Sequence, residues 1–201
     1  MVKFRKIIGV GIFLASTSLS SVSYAQDAWS GLYAGGFVGG GSLTATPYFG
    51  SFQNPDVTLS GGLLGLDVGF NTQMNNIVFG LEGDLALSNA TGNAGSYNLN
   101  MNSLGTLRAR AGVAFGENDN TLAYLTGGLA VGNFSRTGSL TGSATHTGFV
   151  VGVGAEHKVS ESVSIKAEVD YLSLGTQGYN KPGERIKISG VTAKLGVNFH
   201  F

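Results

Sequence analysis

The stretch Val191-Thr-Ala-Lys-Leu-Gly-Val-Asn-Phe-His-Phe201 decides the fold. Val191, Ala193, Leu195, Val197, Phe199 and Phe201 alternate without a slip with Thr192, Lys194, Gly196, Asn198 and His200. A period of two marks a strand with one apolar and one polar face. A soluble sheet would cover the apolar face with a second layer. Here the polar face carries a lysine and a histidine in mid-strand, and the stretch closes on an aromatic residue. That pattern is expected of a membrane strand facing lipid on one side and an enclosed polar interior on the other.

The same alternation recurs upstream. Leu32–Ser42 places Tyr33 and Phe37 on one face, and Gly62–Phe70 sets Leu64, Leu66, Val68 and Phe70 against a face that holds Asp67. Ile77–Leu87 turns Ile77, Phe79, Leu81, Leu85 and Leu87 outward and Glu82 and Asp84 inward. Ser103–Phe115 opposes Leu107, Ala109, Ala111, Val113 and Phe115 to Arg108 and Arg110, and Leu122–Phe134 offers Ala123, Leu125, Leu129 and Val131 as its outward set. Gly148–His157 places Glu156 opposite Phe149, Val151, Val153 and Ala155. Val163–Leu172 opposes Lys166, Glu168 and Asp170 to Val163, Ile165, Ala167, Val169 and Tyr171. With Ile188–Phe201 the count reaches eight.

Connections of two lengths alternate between these strands. Asn71–Asn76, Gly116–Asn120 and Lys158–Ser162 are tight polar turns, whereas Leu43–Gly61, Ser88–Asn102, Ser135–Thr147 and Ser173–Lys187 are expected to be long loops rich in Gly, Ser, Thr and Asn. Short turns at one rim and long loops at the other describe an up-and-down barrel with a periplasmic and an extracellular end. Closure is forced, because an open strand edge in hydrocarbon leaves backbone groups unsatisfied at several kcal/mol each. A soluble lipocalin-like barrel would share the alternation, with the apolar set inside. The terminal aromatic strand, the loop asymmetry and the leader described next favour the membrane form. The expected fold is all-β: an eight-stranded antiparallel up-and-down transmembrane β-barrel.

Composition agrees with export. Of 201 residues, 33 are glycine, none is cysteine and only 12% are charged, which suits neither a disulfide-stapled domain nor a nucleic-acid binder. Lys3, Arg5 and Lys6 form a basic start, Ile7 to about Ala15 an apolar run, and Ser23 and Ala25 the small residues that a signal peptidase reads. The expected division is a signal peptide over residues 1–25 and a barrel domain over 26–201. The apolar run is shorter than the roughly 20 residues a membrane-spanning helix needs. The formal charge of zero includes the three leader cations, so the mature chain is mildly acidic.

Six segments in order resemble a known family: Trp29-Ser-Gly-Leu-Tyr-Ala-Gly-Gly36, Leu104-Gly-Thr-Leu-Arg-Ala-Arg-Ala-Gly112, Leu122-Ala-Tyr-Leu-Thr-Gly-Gly-Leu-Ala130, Gly152-Val-Gly-Ala-Glu156, Ile165-Lys-Ala-Glu168 and Lys194–Phe201. They resemble the small outer-membrane β-barrels of the opacity-type and outer-membrane immunogenic proteins common in alphaproteobacteria. The resemblance covers essentially the whole mature chain and departs at Val169-Asp-Tyr171, where an aromatic often follows the glutamate directly. It implies an abundant surface protein of the cell outer membrane, often described as porin-like, tied to envelope integrity or host contact and without catalytic residues. Leu195, Val197, Phe199 and Phe201 also resemble the C-terminal signal read by the barrel-assembly machinery.

Parity assigns ten charges to the lumen: Asp67, Glu82, Asp84, Arg108, Arg110, Glu156, Lys166, Glu168, Asp170 and Lys194. An eight-stranded interior is just wide enough for side chains to fill, so these charges are expected to pair as a structural plug, or to line a narrow or gated pore. No cofactor, metal or catalytic constellation is expected. Gly35–Gly41 lacks the Lys-Ser/Thr of a phosphate loop, and Gly152–His157 lacks the third glycine of a dinucleotide motif. Among the histidines, His157 faces outward, His146 is expected in a loop and His200 faces inward, with Ser164 or Ser160 too loosely related to count as a nucleophile. Two functions remain: a structural and surface-interaction barrel, with outer-membrane lipid and an extracellular ligand of the loops as partners, or a porin-like channel for small solutes.

Overall fold

The structure, a computed structural model, describes residues 28–49, 52–53, 55–95, 97–138, 141–178 and 184–201. The leader and its cleavage positions, Ser23 and Ala25, lie outside the described residues. Eight long strands form the wall: β1 (Gly31–Phe49), β3 (Val57–Met74), β4 (Ile77–Ser88), β6 (Tyr97–Phe115), β7 (Thr121–Gly138), β8 (Gly142–Ser160), β9 (Val163–Gly178) and β10 (Glu184–His200). Two short strands, β2 (Phe52–Gln53) and β5 (Thr91–Asn93), sit near the upper end, where β5 pairs with β6 and meets β3 at Ser60. Every long strand pairs antiparallel with its neighbours, and β10 closes on β1 from Tyr33 opposite His200 to Phe49 opposite Glu184.

The register fixes the barrel's geometry. A line from Tyr33 runs through Gly69, Glu82, Arg108, Gly128, Val150, Leu172 and Gly190 and returns to β1 at Leu43, so one circuit climbs from position 33 to position 43. For eight strands this stagger corresponds to a tilt of about 40° and a radius of roughly 8 Å. The lower rim has short turns. Asn75, at φ 57°, takes the left-handed conformation that asparagine tolerates, and a single 3₁₀ turn, Glu117–Asp119, joins β6 to β7. Short turns mark the periplasmic rim of such barrels, so the opposite end is the one expected outside the cell.

The four spans expected to be long loops are largely strand. Leu43–Phe49, Val57–Gly61, Tyr97–Asn102, Ser135–Gly138, Gly142–Thr147, Ser173–Gly178 and Glu184–Lys187 all continue the sheet upward. In this upper tier the two faces exchange polarity. Leu43, Ala45, Val57, Leu59, Leu99, Met101, Phe134, Leu174, Ile186 and Ile188 are buried inside, while Thr58, Ser60, Asn98, Asn102, Asn133, Thr145 and Lys187 are exposed outside. An apolar core inside a polar outer wall is the arrangement of a barrel surrounded by water.

In the lower tier the arrangement is inverted. Leu64, Leu66, Leu81, Leu85, Leu107, Leu125, Leu129, Val153 and Leu195 point outward and the charges point inward. On β10 the outward apolar run Val191–Phe201, at about 3.3 Å per residue and this tilt, spans roughly 25 Å, the height of a lipid-facing band. Immediately above the band the outward residue becomes small and polar: Ser42 on β1, Ser103 on β6, Asn133 on β7, Thr147 on β8, Ser173 on β9 and Ser189 on β10. Composition hid the upper strands, because their outward residues are those of loops and their inward ones are too widely spaced to read as a run.

Candidate functional site: the lumenal charge network

All ten charges assigned to the lumen are buried there. Arg108 is the hub. Nη2 meets Glu82 Oε1 and lies 3.0 Å from Asp84 Oδ2, while Nη1 lies 2.6 Å from Glu168 Oε1 and 3.1 Å from Asp170 Oδ1. The four carboxylates come from β4 and β9 on opposite walls, so one guanidinium fork ties the barrel across its diameter.

The other cations widen this centre. Lys194 Nζ lies 2.9 Å from Glu168 Oε1 and 2.8 Å from Asp170 Oδ2; Lys166 Nζ lies 2.9 Å from Asp67 Oδ2 and 3.0 Å from Glu82 Oε2. Arg110 Nη2 donates to Glu156 Oε2 at 2.8 Å, and its guanidinium lies 3.9 Å from the centre of the Tyr124 ring. Six carboxylates face four cations, and neutral donors meet four of the carboxylates, while Asp67 Oδ1 is buried without a hydrogen-bond partner. Tyr33 donates to Glu82 at 2.8 Å, Tyr124 to Glu168 at 2.9 Å, Thr106 to Asp84 at 2.6 Å and Asn198 to Glu156 at 2.7 Å. Such density is what makes buried ions tolerable, since each would be very costly alone. Alternation does not reveal these neutral partners, because polar inward residues look alike whether or not they touch a charge.

Two glycines make room for the tyrosines. A Cβ on Gly69 would meet the Tyr33 ring, with Cε1 at 2.7 Å, and one on Gly154 would meet the Tyr124 ring, with Cε2 at 2.8 Å. Each ring therefore lies flat on the backbone of a neighbouring strand.

The histidines differ in part from expectation. His157 does face outward, bonded to Thr121 at 2.9 Å. His146 is not in a loop. It sits on β8, buried in the upper tier, where its Nδ1 donates to the carbonyl of Gly175 at 3.0 Å and its ring meets Phe134 edge-on. Burial there holds its pKa below the ordinary imidazole value, against the smaller opposing effect of that hydrogen bond. Ser164 and His200, considered too loosely related, are in contact. Ser164 Oγ lies 2.9 Å from His200 Nε2 and donates to Glu156 Oε1 at 2.5 Å. Ser164 faces Asn198 across the β9–β10 ladder, which leaves His200 one step further along the same inner face.

This is not the geometry of an activated nucleophile. The same Nε2 faces both Ser164 and Glu156, the latter at 3.6 Å, whereas a relay needs the acid on the other ring nitrogen. Ser164 is fully buried, and Trp29 and Tyr33 pack against the His200 ring. Among the described residues no three His, Asp or Glu side chains converge as a metal ion would require.

Both ends of the network are stoppered. Below, Trp29 is fully buried with Val78, Ala114, Leu122 and Tyr124, and its indole N–H donates to the Asp119 carbonyl at 2.7 Å. Above, the apolar core of the upper tier runs from Phe37 to Ile186.

The comparisons with known proteins agree with this architecture. Residues 11–201 match the model of the outer membrane protein beta-barrel domain. The chain is 30% identical over 203 residues to the 31 kDa outer-membrane immunogenic protein of Brucella melitensis biotype 1, covering 86% of this chain and 84% of that protein. It is 28% identical over 180 residues to the 25 kDa outer-membrane immunogenic protein of Brucella abortus biovar 1, covering 88% and 81%. Among solved structures, the outer membrane protein OprG from Pseudomonas aeruginosa matches with a TM-score of 0.54 at 14% identity, covering 87% of this chain and 99% of that one, a likeness of fold. The match over nearly the whole length, with an apolar outer band and a charged interior, places the chain in the outer-membrane β-barrel domain family.

Proposed function

We propose that the protein is a closed barrel that braces the outer membrane and presents its upper tier to partners outside the cell, and not a channel. One observation carries this reading: the lumen is filled in series, by apolar side chains above and paired charges below. An ion entering would have to break several buried pairs and cross an apolar layer, each step costing several kcal/mol. Relatives named as immunogenic outer-membrane proteins support exposure at the surface. The test is planar-bilayer recording of refolded protein. Silence is expected, and reproducible steps of one unit conductance would restore the porin-like alternative.

The Ser164–His200–Glu156 contact is read as structural, so the protein has no hydrolytic activity of its own. A fluorophosphonate probe should leave Ser164 unlabelled in the folded barrel, and labelling abolished by Ser164→Ala would overturn that. Residues 1–25 serve as a cleaved leader, leaving a mature barrel domain that starts at residue 26; the N-terminal sequence of protein from the outer membrane tests this. Leu195, Val197, Phe199 and Phe201 are the face offered to the barrel-assembly machinery, and Phe201→Ala should slow assembly without changing the stability of barrel already folded. A ligand of the upper tier meets the sheet's polar outer wall.

A further inference from the structure

Among the described residues, the outer wall of the upper tier is almost uncharged. Its exposed side chains are mostly Ser, Thr and Asn, and several bond to one another across strands, as Thr145 does to Asn133 at 2.8 Å and Asn133 to Ser103 at 3.0 Å. Arg185 and Lys187 are the exception. They stand two residues apart on the outer face of β10, both exposed, and among the described residues no acidic side chain pairs with either. Lys187 is the next outward residue above Ser189, which itself caps the apolar run beginning at Val191. The two cations therefore project from the wall just above the lipid band, where headgroups lie.

What lies beneath them follows from the stagger of the sheet. Moving across the strands from β10 toward β9 and β8 also moves down the barrel, so the wall under Lys187 is not the lower half of β10. It is Ser173, opposite Ser189; Phe149, opposite Ser173; and Tyr171, opposite Val191. Phe149 and Tyr171 are the only aromatic side chains facing outward in the extracellular half of the band among the described residues. Phe70, Phe79, Phe115 and Phe199 all lie toward the periplasmic rim. Among the described residues, an interfacial aromatic pair directly below a basic pair without an acidic partner occurs once.

We propose that this face of β8–β10 is a specific site for a phosphorylated glycolipid of the outer leaflet. Arg185 and Lys187 take the phosphate, Arg185 by its planar fork. The neighbouring Ser173, Ser189 and Thr176 face the sugar hydroxyls, and Phe149, Tyr171 and Val151 hold the upper part of the acyl chains. A free anion would use only the cations, and a second copy of this chain offers no matching acidic patch on its own outer wall among the described residues. The occupant therefore combines phosphate, sugar and hydrocarbon in that vertical order.

The inference rests on the extracellular orientation of the upper tier, and two measurements keep the two apart. Full-length barrel is refolded into phosphatidylcholine vesicles containing either diphosphoryl lipid A or its dephosphorylated form, extracted in mild detergent, and the retained lipid is counted by native mass spectrometry. Wild type is expected to keep the diphosphoryl form preferentially. Arg185→Gln with Lys187→Gln should lower retention roughly tenfold, to the level of the dephosphorylated lipid, while Lys187→Arg keeps it. Equal retention of both lipids, no effect of the double variant, complete displacement by inorganic phosphate, or a change in oligomeric mass in place of lipid loss would each overturn the site. Labelling of Asp56→Cys, exposed at the upper end just before β3 in a chain without other cysteines, by a membrane-impermeant maleimide on intact cells reports orientation separately. Labelling without selective retention defeats the lipid site alone, and protection until the envelope is breached defeats the orientation on which it rests.

Discussion

Replacing Arg108 with methionine tests whether the lumen is held by its charges or merely filled by them. Methionine keeps most of the side-chain volume, so little of the effect comes from a cavity. The guanidinium serves Glu82, Asp84, Glu168 and Asp170 at once and is almost fully buried. Without it, Lys166 of β9 still faces Glu82 of β4 at 3.0 Å and Lys194 still faces Glu168 and Asp170, but Asp84 is left with no cation nearer than Lys194 at 3.6 Å. Breaking a buried pair from one side costs about 3–5 kcal/mol, chiefly from the stranded charge, which is roughly two to three and a half decades in the folding equilibrium. Urea titration of barrel refolded in phosphatidylcholine vesicles reads this directly, since Trp29 is the only tryptophan and is buried at the foot of the lumen. The same cause predicts a rescue. Asp84→Asn and Asp170→Asn, added to Arg108→Met, should recover part of the loss by removing the carboxylate left without a close cation and one of the two that share Lys194. A single variant within about 1 kcal/mol of wild type, or a triple variant no more stable than the single one, would show that the charges are passengers in a core held by shape.

Three further perturbations probe the two tiers. Leu195→Lys, at mid-band, should cost about 2–4 kcal/mol in vesicles, against about 0–1 for Ser189→Lys above it; equal costs would misplace the membrane boundary. Phe134→Ala, in the upper core, should cost about 3–5 kcal/mol and expose upper-tier strands to limited proteolysis, while the membrane tier keeps its folded mobility on a gel. His146 gives the upper tier a pH dependence. Its folded pKa lies below the ordinary value of 6.5, so its contribution is present above that value and is lost as pH falls through it, because the unfolded chain takes up the proton first. Amide protection factors in the upper strands, corrected for the intrinsic exchange rate at each pH, should fall between about pH 7 and pH 5 in wild type and change little in His146→Gln.

The fold is legible in the sequence because the strand period is two and the membrane imposes it on every strand. Val191–Phe201 discloses its apolar face without help, and so do Gly62–Phe70 and Ile77–Leu87. The upper tier escapes the same reading, because leaving the membrane removes the demand for outward apolar residues. Thr44, Thr46, Asn98, Asn100 and Asn102 then read as loop, and Leu43, Ala45, Leu99 and Met101 as isolated apolar residues. The inward placement of the lumenal charges follows from parity, but their partners do not. Arg108 is brought to Glu168 and Asp170 by the circuit's climb along β1, a property of closure that no strand contains by itself. The contact of Ser164 with His200 is lost for the same reason: it joins residues of two strands whose relative register only the ladder sets.

The junction between the tiers also bears on how such a chain can change its length. In β6 the pairing shifts between Met101 and Ser103, so that Met101 and Leu104, three positions apart, both point inward. Most of the wall instead carries one unbroken alternation through both tiers, as β1 does from Tyr33 to Ala45. Inserting one residue near Phe37 would turn out every side chain on one side of the insertion, setting charges against lipid or leucines against water. At the β6 irregularity the alternation is already reset, so a gained or lost residue there can be absorbed by the bulge. Descendants of this barrel should therefore vary in length at the tips, at that step of β6 and at the like shifts between Ile186 and Ile188 and between Lys158 and Ser160, and scarcely anywhere else along the wall.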